Sequence, residues 1–265
     1  MYLRNTASAI LIFAVLTAGC TGTVQQESLQ EKTAGPEQTA GSGQTGYTAV
    51  TEYPYYYHTL PEDAGYTSGR IVIGDSRCCQ LGVYAEETGR ADFAVFAVWG
   101  GHYSEGAMPA IMTDELVSEA EECFQAQIRA CGECALYLFA TINDCDFSGN
   151  DNETAVAAAA GAAETFASMR FEYEGREYHP DVFVIGFDGV RHSASASEID
   201  RIVEEYNEQL RIAVKNSELL KENASQYTTV PEITDNRTEF IEDGLHYSDS
   251  TLKMIADHIA DSGNR

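Results

Sequence analysis

Six consecutive apolar residues, Phe93-Ala94-Val95-Phe96-Ala97-Val98, limit the fold of this chain more than any other feature. A strand with one wet face alternates apolar and polar side chains, whereas a run without alternation needs cover on both faces. Similar short runs bounded by Gly or Asp occur at 71–73, 135–142 and 182–187, with a weaker one at 227–233. Patterns of helical period lie between them. Leu116, Ala120, Cys123, Phe124 and Ile128 form one stripe; Ile199, Ile202, Val203, Tyr206, Leu210 and Ala213 form another. Residues 155–169 are Ala-rich, with Asn152 placed to cap them. Ser197 followed by Asp200 predicts a variant capping box at the start of the second stripe. Leu252, Ile255, Ala256 and Ile259 predict a last helix. Strand and helix repeated in this way specify an α/β fold around a parallel sheet. Ligands of such sheets sit beyond the carboxyl ends of the strands.

The 265 residues suit one domain with extensions. Asp and Glu outnumber Lys and Arg 42 to 16, for a net charge of −26. Nucleic-acid binding needs clustered cations that displace phosphate counterions, so this balance argues against it. It also disfavours direct adsorption to anionic lipid. Residues 1–20 read as an export signal, with Arg4 before an apolar stretch at 7–18 that is too short to span a bilayer. The stretch ends Leu16-Thr17-Ala18-Gly19-Cys20, which resembles a bacterial lipobox, although Thr17 stands where Leu is usual. The expectation is an extracytoplasmic protein held at the cell surface by a lipid on Cys20, its only membrane contact. Residues 21–50 are Thr, Gly, Gln, Ser, Glu and Ala with almost nothing apolar, a composition that cannot offset its ordering entropy. They read as a tether with a mean reach of about 30 Å. Residues 51–265 then form the functional domain.

Three short strings carry chemistry. Gly74-Asp75-Ser76 follows the run Ile71-Val72-Ile73, and Asn143-Asp144 follows Leu136-Tyr137-Leu138-Phe139. Asp243-Gly244-Leu245-His246 comes near the end. A Ser in the first turn of a helix exposes its hydroxyl and offers its own backbone N–H to an oxyanion. Asp243 can accept from one imidazole nitrogen of His246 while the other faces Ser76. Of the six histidines, His246 alone has an acid at this spacing inside a turn-like Asp-Gly string. Asn143 can give its side-chain amide to the same oxyanion, and Gly100 or Gly101, after the second strand, a backbone N–H. Each residue also has a plain structural reading. Ser76 would be an N-cap, Asn143-Asp144 an Asx-turn, Gly100-Gly101 a tight turn, and Asp243 to His246 a loop before the last helix.

Other residues are less specific. His102-Tyr103-Ser104-Glu105 is placed to line a pocket beside Gly100. Tyr53, Tyr55, Tyr56 and Tyr57 suit packing of a loop onto the domain edge better than a sugar-stacking platform. Besides Cys20 there are Cys78, Cys79, Cys123, Cys131, Cys134 and Cys145, which permit disulfides in an exported protein or remain thiols. Cys131 and Cys134 have zinc half-site spacing, but no second pair matches and no His-x-His accompanies them. No metal is expected. Vicinal Cys78 and Cys79 suit packing rather than catalysis.

Taken together, Gly74-Asp75-Ser76, the Gly after the second strand, Asn143-Asp144 and Asp243-x-x-His246 resemble the four blocks of the SGNH (GDSL-like) hydrolases. The resemblance covers residues 70 to about 260 in order and spread. It implies a three-layer α/β/α, flavodoxin-like sandwich with a five-stranded parallel sheet, and no cofactor. It implies Ser76 as nucleophile, His246 as base and Asp243 as its partner, with the Ser76 amide, Gly100 and Asn143 as the oxyanion hole. Tyr206-Asn207-Glu208-Gln209-Leu210 also resembles a late helix of bacterial members. Arg77 departs from the name-giving Leu, as in related bacterial members. Thr141 stands where the third block usually has Gly, so its side chain would narrow the pocket or move Asn143. The implied reaction is hydrolysis of acyl esters, O-acetyl foremost, on extracellular carbohydrate or cell-wall glycan. An acyltransferase on the same triad is the alternative. A non-catalytic glycan-binding lipoprotein, for which Thr141 is the best support, is a further one.

Overall fold

Every residue of Ala94–Val98 is buried, as a strand covered on both faces must be. The computed structural model describes residues 68–107, 109–145, 152–189, 196–223 and 225–262, with the backbone alone at 56–59 and 196–198. The export signal, Cys20, the tether, Tyr53, Tyr55 and the side chains of Tyr56 and Tyr57 lie outside what is described. In chain order the strands are β1 (Tyr56–Thr59), β2 (Arg70–Gly74), β3 (Ala94–Val98), β4 (Ala135–Phe139), β5 (Phe171–Tyr173), β6 (Arg176–Tyr178), β7 (Asp181–Gly186) and β8 (Gln226–Thr229). The helices are α1 (Ser76–Glu87), α2 (Asp114–Cys131), α3 (Glu153–Ala167), α4 (Ala196–Asn216), α5 (Glu218–Glu222), α6 (Val230–Ile233) and α7 (Asp249–Ser262).

The main sheet runs β1-β3-β2-β4-β7-β8. All neighbours are parallel except β1 against β3. Counting only the five parallel strands, the order is 2-1-3-4-5, that of flavodoxin-like sheets. Side chains alternate between two covered faces. Ile71, Ile73, Phe96, Leu136, Leu138, Val182 and Val184 share one apolar cluster with α2, α3 and α4. Val72, Val95, Ala97, Tyr137, Phe139 and Ile185 share the other with α1 and α7. The result is a three-layer α/β/α sandwich whose five-stranded parallel sheet agrees with expectation. The order of strand connection reverses at β2, with β3 added on one side and β4 on the other, so the crevice of the switch point opens at the carboxyl ends of β2 and β4.

Four local readings need correction. The sheet has a sixth strand, because β1 adds itself antiparallel to the edge. The run 227–233 is strand only to Thr229. There Thr229 caps α6, with Glu232 closing a capping box and Pro231 in the first turn. Ser197 is not an N-cap, since the helix already includes Ala196. Asn152 stands at the start of α3 but makes no side-chain capping bond. A hairpin, β5 to β6, also went unpredicted. Its two turn residues, Glu174 (φ 52°) and Gly175 (φ 77°), are both left-handed, as a primed turn requires.

Candidate active site

Ser76 is the first residue of α1, not its cap. Asp75 caps the helix, its Oδ1 accepting the Arg77 amide at 3.0 Å. The Ser76 hydroxyl is therefore free of capping duty. Gly74 is needed just before it, because a Cβ there would meet Cys78 Sγ and lie 3.0 Å from Phe139 Cβ. The strand-to-helix turn is tight enough to press α1 onto β4.

His246 comes to Ser76 from 170 residues away. Its Nε2 lies 3.0 Å from Ser76 Oγ, and its Nδ1 lies 2.6 Å from Asp243 Oδ2. The turn that carries Asp243 orients its carboxylate. Gly244 takes φ 66°, and Oδ1 accepts the amides of Leu245 (2.8 Å) and His246 (2.9 Å). Burial alone would raise the Asp243 carboxyl, but the imidazole and these two amides outweigh it and lower it to about 2. Asp243 is thus ionised at neutral pH. An ionised carboxylate has no proton to give, so Nδ1 carries the hydrogen and Nε2 is left to accept from Ser76.

This depressed value has a consequence for stability. A carboxylate held below its ordinary value of about 4 favours the folded state above that pH and loses the contribution as the pH falls toward about 2. Urea unfolding midpoints between about pH 4 and pH 2 should therefore fall more steeply for the wild type than for Asp243→Asn.

Arg77 is 4% exposed and holds the His246 loop from behind. Its Nε donates to the Leu245 carbonyl at 3.1 Å and its Nη1 to the Tyr247 hydroxyl at 3.2 Å, gripping the residues on both sides of His246. The guanidinium also lies 4.9 Å from the Tyr247 ring centroid. A Leu at this position would make none of these bonds. The residue next to Ser76 thereby sets the placement of the imidazole.

The oxyanion candidates meet at the switch point. The bonds that open α1 use the amides of Arg77, Cys78 and Cys79; the Ser76 amide makes none within the described residues. Gly101 donates its amide to the Val98 carbonyl at 2.9 Å, so it is not available to a ligand. Gly100 is the glycine of the pair with an uncommitted N–H among the described residues, and its φ of 68° suits Gly. Asn143 Nδ2 donates to the Gly101 carbonyl at 3.0 Å and lies 3.5 Å from Asp75 Oδ2. One amide hydrogen is committed. The other faces a contact at the long limit of hydrogen bonding, which an oxyanion can displace.

Thr141 does not narrow the pocket. It is fully buried, and its hydroxyl donates to Asp75 Oδ2 at 2.8 Å with the Gly101 carbonyl 3.1 Å away. It also accepts the Asn143 amide at 3.1 Å, which starts the 3-10 turn Ile142–Asp144. One hydroxyl therefore latches together the ends of β2, β3 and β4. The support that Thr141 lends to a non-catalytic reading falls away. Thr141→Val keeps the shape but leaves the buried Asp75 carboxylate short of a donor. It should cost about 1–3 kcal/mol in urea unfolding and lower kcat, while Thr141→Ser stays close to wild type.

Asp144 does not reach Ser76 or His246 by any bond. Its carboxylate accepts the amides of Tyr103 (2.7 Å) and Ser104 (3.2 Å) and lies 3.2 Å from His102 Nδ1. Tyr103 is buried and donates its hydroxyl to the Phe139 carbonyl, so it packs the loop rather than lining a pocket. Asn207 of the Tyr206-to-Leu210 string donates to the Phe187 carbonyl at 2.8 Å, just past β7. Cys78, Cys79, Cys123 and Cys134 are free thiols. Cys78 and Cys79 are buried, and burial pushes both thiols up, away from reactivity. Among the described residues no group of His, Cys, Asp and Glu is arranged to hold a metal, and no helix is long and apolar enough to cross a membrane.

The chain shares its fold with a solved esterase. Against the native aryl esterase of M. smegmatis the TM-score is 0.50 at 11% identity, covering 74% of this chain and 98% of that one. Two further solved structures align over the same share of this chain. One is a putative arylesterase from Agrobacterium tumefaciens str. C58, with TM-score 0.47, 13% identity and 98% of its length covered. The other is a carbohydrate acetylesterase family member from Sinorhizobium meliloti, with TM-score 0.46, 10% identity and 97% covered. At such identities the likeness speaks for the fold alone. No family model matches the sequence, and no curated protein matches it.

Two residues around the site carry roles that the sequence reading missed: Arg77 and Thr141. Arg77 and Thr141 both stand where the motif resemblance breaks, and those departures were the available signal.

Proposed function

We propose that this chain is a serine hydrolase of the SGNH (GDSL-like) type that cleaves acyl esters. The observation that carries the reading is the unbroken chain of bonds from Ser76 Oγ through His246 to Asp243, at 3.0 and 2.6 Å. In this reading Ser76 Oγ attacks the ester carbonyl and its proton passes to His246 Nε2. The oxyanion that forms takes hydrogen bonds from the Ser76 and Gly100 amides and from Asn143. The protonated His246 returns the proton to the departing alcohol, leaving an acyl group on Ser76. Water, deprotonated by the same imidazole, then releases the acid. Asp243 stays ionised and stabilises the imidazolium in both halves.

The substrate follows from the start of the chain. A signal-like segment, a lipobox ending at Cys20 and a polar tether support an enzyme anchored outside the cytoplasm. Esters within reach there are O-acyl groups on carbohydrate and cell-wall glycan, and O-acetyl is the smallest. The test is release of p-nitrophenol from p-nitrophenyl acetate and of acetate from acetylated xylan and O-acetylated peptidoglycan, with Ser76→Ala as the blank. Turnover of the aryl ester alone would keep the hydrolase and remove the glycan. No turnover above the blank on any of the three would remove the hydrolase.

A further inference from the structure

Trp99 is the only tryptophan in the chain. It follows β3 directly and precedes Gly100, so it stands at the carboxyl rim of the sheet where Ser76 and Asn143 also lie. It is partly buried against the cluster formed by α1 and α7. Its ring stacks on that of His246, with centroids 5.2 Å apart and 28° between the planes. The two nitrogens of His246 are held by Ser76 and Asp243, and the indole covers the face of the ring between them.

This contact changes in strength during the reaction. A neutral imidazole on an indole gains packing and little else. Once the Ser76 proton reaches Nε2 the ring is a cation, and the indole quadrupole attracts it by about 0.5–2 kcal/mol. An interaction that grows between ground state and transition state lowers the barrier instead of merely tightening substrate binding.

We propose that Trp99 is a positioning residue that fixes the ring of His246 and stabilises its protonated form through the indole face. The proposal rests on the serine-hydrolase reading. Asp243 and Ser76 bond the imidazole directly, Glu242 precedes Asp243 in the same loop, and Asp75 and Arg77 flank Ser76 at the start of α1. Arg77 acts through the Leu245 carbonyl and the Tyr247 hydroxyl. A substitution at position 99 alters none of them directly.

Two measurements test it. In steady-state kinetics on p-nitrophenyl acetate, Trp99→Leu should lower kcat by about 3- to 30-fold, with KM changed less than about 2-fold, and Trp99→Phe should recover most of the loss. A loss seen only in KM, or an equal loss in Leu and Phe, would overturn the role. The second measurement needs neither turnover nor a change at Trp99. In Ser76→Ala all tryptophan emission comes from Trp99, and imidazolium quenches indole more than imidazole does. Emission should fall on acidification, as the imidazole takes up a proton. The fall should be absent from Ser76→Ala with His246→Gln. Turnover accompanied by emission indifferent to His246 would overturn the Trp99 role alone. Emission that responds to His246, with no turnover in any variant, would remove the hydrolase reading and the catalytic part of the proposal with it.

Discussion

Ser76→Ala is expected to lower kcat on p-nitrophenyl acetate by at least about 10⁴-fold. The hydroxyl removed is 3.0 Å from its base and 5% exposed as a residue. Without it no atom at the start of α1 can form the acyl intermediate, and only the oxyanion donors remain to assist water. The fold should tolerate the change. Asp75, not Ser76, caps α1, so the helix keeps its start, and Ala is a good helix former. The shift in urea midpoint should correspond to no more than about 1 kcal/mol. A large kinetic effect beside a small effect on stability separates a nucleophile from a packing residue, and the comparison needs one variant and two routine measurements.

Asp243→Asn should be nearly as damaging, with kcat lowered by about 10⁴-fold. The argument concerns a proton, not a charge alone. Asp243 accepts three hydrogen bonds: two from backbone amides on Oδ1 and one from His246 on Oδ2. An asparagine can keep its oxygen toward the two amides, and the turn survives. Its NH2 then faces Nδ1 and donates to it, which forces the hydrogen of the neutral ring onto Nε2. That nitrogen would point a donor at Ser76 and could not take its proton. The variant should also lack the acid-sensitive part of the stability, because no group is left there whose value is lowered to about 2. Asp243→Ala would break the turn as well, so it is the less informative change.

The sequence revealed much of this layout because short-range patterns encode it. The runs in β2, β3, β4 and β7 are legible because both faces of the sheet are covered and every residue must be apolar. Ser76 and Asn143 are legible because each lies in a short string just after a strand, and Asp243 to His246 because an acid and a His share one Asp-Gly turn. The misses have physical reasons. β1 takes its place by pairing with β3 and has no apolar run of its own. The β5–β6 turn uses Glu-Gly where Asn-Gly would have announced it. Thr229 to Glu232 is a capping signature that was overlooked inside an apolar stretch. The roles of Thr141 and Arg77 are not legible because their partners lie 66 and 168 residues away in sequence, at Asp75 and Leu245. A position read against a motif looks like a departure. Only the fold shows Thr141 joining three strand ends and Arg77 holding the loop of the base.

Covalent labelling tests the central claim most directly. The full chain is treated with a fluorophosphonate, which loses fluoride and forms a phosphorus–oxygen bond only with an activated hydroxyl, and the adduct is mapped by peptide mass spectrometry. The account predicts a single adduct on Ser76, formed much more slowly in Asp243→Asn and absent from Ser76→Ala. An unmodified Ser76, or an equal adduct at another residue in wild type and Ser76→Ala alike, would contradict it.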